Sequence, residues 1–509
     1  MFLMQTSHDS PAATDSDVYA KALTLMERNQ FEAAVYIMTP LAKTNPNTKL
    51  LLSLGDAYVA LDQPKKALNY YILVYQHANQ SDDQLFKRIA LYKMARMQFW
   101  LGQYVSSGKT YQLLLTYPLS PLEHELALAG LVKSLSYYDR PRRAYRLIPH
   151  DMVFTTPEMV VAASQASSWA NWSDLTRTIL ITEMPITNNI NSRSPLAKDI
   201  QDLQWQTRRA TSPGEITPSV FASHDSEDFN KTRVMLDYTR YWNQLAQTAV
   251  GLDYIHYTQQ QPNNLNARGI YLGQTLRPTR DLILNAQIEP MEYKNSSPFA
   301  PQNWSPLLGN ASATYTPNDL VSWRVLAIRE IIETFPAFAD RITDNQYGTS
   351  LTVSPLPYVQ INGAYSRLNM SDSNIRNSYF LSSTLLVSAN LGLSATGMIR
   401  EYTDKFSSPD YFSPFNYKAG TFLLKLSRRL GAAWHYYLDG GLGRQFIVSL
   451  PGANTASSPT YQFGLGITGP ITSWLVVNAY YADLHQASAY LGSSDYHYQY
   501  GGISFNIMM

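Results

Sequence analysis

From residue 215 to residue 509 the chain alternates apolar and polar side chains, segment after segment, and this period of two limits its fold more than anything else in it. Successive side chains of a β-strand point to opposite faces, so each such segment is a strand with one apolar and one polar wall. The stretch Tyr417–Ile447 shows the pattern most clearly. Phe422, Leu424 and Leu426 fall on one side, with Thr421, Lys425 and Ser427 on the other. After the turn Arg428-Arg429-Leu430-Gly431 the alternation resumes, Trp434, Tyr436 and Leu438 against His435, Tyr437 and Asp439. Each arm is about ten residues long, enough at a tilt near 45° to cross a hydrocarbon layer of roughly 30 Å.

About sixteen such segments lie between 215–226 and 497–508, an even number that suits a bacterial outer-membrane barrel. Their connections alternate in length. Trp242-Asn243-Gln244, Pro278-Thr279-Arg280, Pro355-Leu356 and Ser388-Ala389-Asn390 are short, whereas Gln259–Asn266, Tyr293–Leu307, Thr334–Asn345, Thr403–Asn416, Ser449–Pro459 and Gln486–Tyr496 are long. Periplasmic turns and extracellular loops differ in this way, and a soluble sandwich has no reason to keep that asymmetry. The reading is an antiparallel transmembrane β-barrel over 215–509. Both its ends lie on the short-turn side, which puts whatever precedes it in the periplasm.

The faces sort accordingly. Leu282, Leu284 and Ile288, like Val359 and Ile361, should meet outer-membrane lipid, with Asn285, Gln287 and Glu289 inside; Leu475 and Val477 face out and Asn478 and Tyr480 in. A polar interior at this strand number leaves an aqueous lumen. The candidate pore-lining side chains are Glu289, Arg324, Arg400, Lys425, Tyr437, Asp439 and Tyr480. The charged ones either guide a hydrophilic polymer or hold the wall as a solvated ion-pair network. Tyr437 and Tyr480 offer apolar ring faces on which a pyranose can stack, and serve equally as structural residues.

Before the barrel the period is helical, from about residue 17 to 210. Leu51–Gln76 carries Leu51, Leu54, Gly55 and Tyr58, then Ala67, Tyr71 and Val74, spacings that match a tetratricopeptide-like helix pair of about 34 residues. Gly55 and Ala67 let the helices approach while Tyr58 and Tyr71 fill the groove. Ala33 stands one such period before Ala67, and Ala144 takes the small position in a later repeat. Turns recur at Arg28-Asn29-Gln30, Leu61-Asp62-Gln63, Leu101-Gly102-Gln103 and Tyr138-Asp139-Arg140. A looser pair follows near Pro157–Trp169 and Ser173–Thr182, then a last helix near Pro195–Arg209. An irregular helical bundle is the alternative to this solenoid. Repeats of this kind bury a core only by stacking, and their concave face usually binds a partner. Thr211–Gly214 breaks the helical period and has the composition of a linker. Residues 1–16 are expected to be disordered, with at most a signal remnant, because Met1-Phe2-Leu3-Met4 falls short of the roughly 7–15 apolar residues of a signal core.

Composition removes several functions. The net charge is +1 with 16% charged residues, which argues against a nucleic-acid partner, and cysteine is absent, which excludes disulfides, thiolate metal sites and a cysteine nucleophile. No catalytic motif is present: no GxSxG elbow, no HExxH, no phosphate-cradling glycine loop. His485 and His497 flank the last long loop and are read as incidental, so no metal or cofactor is expected and the chain is not read as an enzyme.

The order of parts, together with Tyr411-Phe412-Ser413-Pro414-Phe415-Asn416-Tyr417 before a late strand and Gly441-Leu442-Gly443-Arg444-Gln445 at the end of the next, resembles bacterial exopolysaccharide export porins. These include the outer-membrane subunit of cellulose secretion and the poly-N-acetylglucosamine exporter. The resemblance implies export of a polysaccharide chain through the barrel, with the repeats guiding it or recruiting an inner-membrane synthase or periplasmic modifying enzymes. The repeat region is short for this family. The chain ends in Met509 where such barrels usually finish on an aromatic, Phe505 being the nearest. A receptor or adhesin with a plugged barrel is the second reading.

Overall fold

The computed structural model describes residues 15–183, 195–210, 212–243, 245–259, 263–295, 303–388, 391–430, 434–487 and 496–509. The chain divides into two compact units between Thr207 and Arg208. Most of the expected disordered stretch, residues 1–14, lies outside the described residues, as does Thr211 of the expected linker; Asp15 and Ser16 already belong to the first helix.

The first unit is a run of helix pairs. Asp15–Glu27 pairs with Phe31–Thr44, Thr48–Ala60 with Pro64–Gln80, Gln84–Trp100 with Tyr104–Leu114, Pro121–Tyr137 with Pro141–Arg146, and Pro157–Trp169 with Ser173–Thr182; Pro195–Ala210 follows. The same device turns the chain inside each pair. Asn29, Asp62, Gly102, Asp139 and Asn171 take φ values of 58°, 55°, 73°, 58° and 63°. Glycine adopts this left-handed conformation freely, and Asn and Asp tolerate it better than other residues. The amide after each one returns to a carbonyl five residues back: Gln30 to Leu25, Gln63 to Tyr58, Gln103 to Gln98, Arg140 to Leu135 and Trp172 to Ser167. Carbonyls that a helix end would leave bare are thereby satisfied while the chain reverses.

Four residues beyond each N-cap that follows, Gln30, Gln63, Gln103, Arg140 and Trp172, sits a small buried side chain: Ala34, Ala67, Ser107, Ala144 and Thr176. This corrects one expectation. Ala33 is exposed, and Ala34 holds the packing position. The caps Gln30 and Gln63 are 33 residues apart rather than 34 (63 − 30 = 33), and a one-residue error rotates a helical side chain by about 100°. Gly55 lies under the ring of Tyr71, where a methyl group would overlap it. The Tyr71 hydroxyl donates to Asp56 Oδ1 at 2.6 Å, and Tyr58 stacks on Tyr70 with centroids 5.4 Å apart.

One junction between pairs, from Pro121–Tyr137 to the start of Pro157–Trp169, is tied by a buried carboxylate. Glu125, 4% exposed, accepts from the amides of Thr155 and Thr156, both at 2.8 Å, and from both threonine hydroxyls. Burial pushes its pKa up, but these four donors outweigh that and hold it below the ordinary value.

The second unit is a closed barrel of sixteen long strands: β1 Gly214–Asp225, β2 Asn230–Tyr241, β3 Ala246–Gln259, β4 Asn263–Thr279, β5 Leu282–Asn295, β6 Leu307–Tyr315, β7 Val321–Ile331, β8 Thr343–Leu356, β9 Val359–Met370, β10 Ile375–Ser388, β11 Leu393–Asp404, β12 Asn416–Leu430, β13 Trp434–Val448, β14 Ala456–Pro470, β15 Leu475–His485 and β16 His497–Met508. A two-residue strand, Asn303–Trp304, pairs with the end of β5. Neighbours in sequence pair antiparallel throughout, and β16 closes on β1, Glu215 opposite Met508 and Asp225 opposite Tyr498. All sixteen expected strands are present, several of them longer than the alternation alone indicates. The largest extension shortens one expected long loop. Leu265 and Ala267 are buried and the ladder continues to Gln259 opposite Asn263, so most of the long loop expected over Gln259–Asn266 is strand.

The outer wall is apolar and bare. Leu252, Ile270, Ile288, Leu381, Ile399, Phe422 and Leu442 are all exposed, Leu442 to 73%. A closed wall satisfies its backbone hydrogen bonds internally, and an apolar outer face then has lipid as its solvent. This unit is an outer-membrane β-barrel. No helix among the described residues is long and apolar enough to cross a membrane.

Candidate functional site: the inner wall of the barrel

Strand parity assigns the faces. Trp323 and Val325 are exposed on the outer wall, which turns Arg324 inward with Leu326. The same count, from Ile399, Leu424, Leu438 and Ile288 outside, puts Arg400, Lys425, Tyr437, Asp439 and Glu289 on the inner wall. Tyr480 lies there too, its ring 6.2 Å from that of Tyr500.

The register brings several of these together in one row. Tyr437 is opposite Gly466, Gly466 opposite Tyr480, Tyr480 opposite Gly502, and Gly502 opposite Phe221. Aromatic and glycine thus alternate across five neighbouring strands. A Cβ at Gly466 would overlap the Tyr437 ring, and one at Gly502 would come to 3.0 Å from the Tyr480 ring. Each tyrosine therefore lies along the wall over its neighbouring glycine instead of standing off it, which turns a ring face toward the lumen. Tyr500 and Tyr498 extend the patch, their rings 5.3 Å apart, and Phe221 reaches Tyr500 at 6.1 Å. Lys425 and Asp439 are direct cross-strand partners beside it, the Lys425 ammonium 4.5 Å from the Tyr437 ring centre.

Glu289 and Arg400 belong to other parts of the wall. Glu289 lines a cavity of about 450 Å³ with Lys231, Arg233, Asp253, Glu333 and Tyr498. Arg233 clamps Asp253 at 2.7 Å and reaches Glu289 at 3.7 Å, while Lys231 meets Glu333 at 2.6 Å. Arg400 lines a second cavity of about 360 Å³ with Tyr402, Arg376 and Glu330. Arg376 there is fully buried, bound to Asp404 at 2.8 Å and stacked on Tyr402 at 4.4 Å. The sequence reading passed over Arg233, Asp253, Arg376, Asp404, Tyr498 and Tyr500. Their inward parity was legible, but their pairing depends on which strands are neighbours.

At the long-connection end the inner wall is covered. Phe335–Ala339 forms one helical turn whose Phe335 and Phe338 pack on Phe229, Tyr257 and Tyr293. Residues 404–416 fold onto the same end. Tyr411 donates to Asp372 and receives from Asn374, the Phe412 carbonyl accepts from Arg376, and Tyr417 stacks on Tyr402. The Tyr411–Tyr417 motif is thus the segment that pins this connection. His497 bonds Asp483 at 2.6 Å and His485 stacks on Tyr461.

No protein-family model and no curated protein matches the chain. Among solved structures, a protein described as a bacterial polysaccharide outer membrane secretin is 14% identical, with a TM-score of 0.48, over 58% of this chain and 99% of that one. OccK11 (OpdR) of Pseudomonas aeruginosa is 9% identical, with a TM-score of 0.35, over 59% of this chain and 97% of that one. A tetratricopeptide repeat protein from Parabacteroides merdae is 14% identical, with a TM-score of 0.31, over 40% of this chain and 74% of that one. In its order of parts, helical repeats ahead of a sixteen-strand outer-membrane barrel, the chain resembles the bacterial exopolysaccharide export porins.

Proposed function

We propose that the barrel is a channel through which a hydrophilic exopolysaccharide leaves the cell, and that the helical repeats, in the periplasm, guide the polymer or recruit its synthase or modifying enzymes. The observation that carries this reading is the row Tyr437–Gly466–Tyr480–Gly502–Phe221 with Lys425 and Asp439 beside it. Flat rings laid along a wall give a sugar chain successive apolar contacts, and the polar side chains between them replace its water hydrogen bonds. Glu289, Arg324 and Arg400 line the rest of the path. Short turns of such barrels face the periplasm, and the chain enters the barrel at that end.

The covered long-connection end favours a second reading, a receptor whose lumen is closed. Conductance in planar bilayers separates the two. Residues 215–509 should conduct without the helices, because a closed barrel needs no outside partner for its hydrogen bonds. Polymer export in cells should stop without residues 1–210. A purified barrel that never conducts, even after residues 335–339 are removed, sinks the channel. Orientation has its own check: Ala456→Cys should react with an impermeant maleimide on intact cells and Asn318→Cys should not.

A further inference from the structure

Outward-facing cations occur at several places on the wall, but those on β4 and β5, Arg268 and Lys294, are met by Glu292, and one row at the long-connection end of β7 to β13 stands apart at the edge of the apolar belt. Arg329, Arg367, Lys418 and Arg444 all lie within five residues of that end and share the outer face with exposed Tyr347, Tyr365 and Leu442. Among the described residues, only Lys418 of these four has a carboxylate partner, Glu401 at 3.0 Å. The three arginines rest on neutral acceptors: Arg329 on Asn345 at 2.9 Å and the Leu307 carbonyl, Arg367 on Asn369 at 3.1 Å, and Arg444 on Ser457 at 3.2 Å. Beneath them Tyr365 and Tyr379 pack ring to ring at 5.2 Å, and the Tyr365 hydroxyl donates to Asn377 at 3.0 Å. Aromatic residues with polar tips mark the level where hydrocarbon gives way to headgroups. Guanidinium groups held at that level without counter-charge are matched to phosphate, which they bind in a fork that lysine cannot copy.

We infer that this band is a binding surface for the phosphorylated headgroups of outer-leaflet glycolipids, with Arg329, Arg367 and Arg444 as the phosphate contacts. The inference rests on the barrel spanning the outer membrane with its long connections outward, and it is independent of what passes through the lumen. A free phosphate offers the same charge, but the tyrosine girdle directly below favours a ligand with acyl chains.

The test uses the full chain, folded in detergent, titrated with lipopolysaccharide, with the same lipopolysaccharide stripped of its lipid phosphates, and with inorganic phosphate. Three cations near an anionic surface account for about a hundredfold in affinity. The triple variant Arg329→Ala/Arg367→Ala/Arg444→Ala should lose about that factor for the phosphorylated lipid, while Arg428→Ala at the opposite end should match the wild type. Removing the lipid phosphates should abolish the difference between wild type and triple variant, and inorganic phosphate should compete only weakly. Equal binding of phosphorylated lipid to wild type and triple variant overturns the proposal, as does inorganic phosphate competing as well as the lipid. Barrel folding, read by heat-dependent gel mobility, and conductance are measured in parallel. A triple variant that conducts normally but binds lipid unchanged removes this surface and leaves the channel reading standing.

Discussion

The helical unit and the barrel bury opposite sides of their elements, and the contrast shows what each demands of its sequence. In the helices apolar side chains point inward, so the tolerance is set by room: Ala34, Ala67 and Ala144 are fully buried at the closest approach of two helices. In the barrel the apolar side chains point outward into lipid, so the tolerance is set by solvent, and a change of volume there costs little where a charge costs much. Glycine marks the difference. Gly55 makes space for a neighbouring helix's Tyr71, whereas Gly466 makes space for a Tyr437 ring laid on the wall beside it.

The sharpest way to break that contrast is to place charge on the two walls of the barrel. Leu424→Arg, on the outer face, should destabilise the folded barrel by about 2–4 kcal/mol near the midplane, whereas Asn285→Arg, on the inner face, should be tolerated. Urea unfolding in lipid vesicles measures both, and equal losses would mean that the faces are reversed.

Next in size is the buried carboxylate of the helical unit. Glu125→Gln keeps one acceptor oxygen but sets amide hydrogens against the Thr155 and Thr156 donors, a loss of about 1.5–3 kcal/mol at neutral pH. Because the folded-state pKa of Glu125 is depressed, its contribution is present above the unfolded value, about 4.3, and fades as pH falls through the lower folded value. Helical circular dichroism of the full chain should show the wild type losing thermal stability through that window and the variant losing less. Parallel curves for the two would remove Glu125 as the source.

The smallest effect tests the repeat register itself. Ala34→Leu should cost about 1–3 kcal/mol by overpacking, while Ala33→Leu, one residue away and exposed, should stay within about 0.5 kcal/mol. A reversal of the two would restore the fixed 34-residue period.

How much of this was legible follows from how local each feature is. Strand alternation and the Asn, Asp and Gly turns are written in neighbouring residues, so the sixteen strands and the helix pairs could be placed from sequence. The start of β4 could not, because Asn263, Asn264 and Asn266 look like loop residues and become strand only by pairing with β3. The ion pairs Arg233–Asp253 and Arg376–Asp404, and the packing of Phe335 and Phe338 on Tyr257 and Tyr293, join residues far apart in sequence. The aromatic–glycine row lies between. Its members were visible singly, but only the register of five strands makes them one row.

The pairing of β1 with β16 has a temporal consequence. The first strand of the wall waits for the sixteenth, which is synthesised after the fifteen others. Until His497–Met508 arrives, fifteen strands carry two unpaired edges, each a template for association with another chain. Loss of those twelve residues would therefore yield an open, adhesive sheet and not a slightly weakened channel.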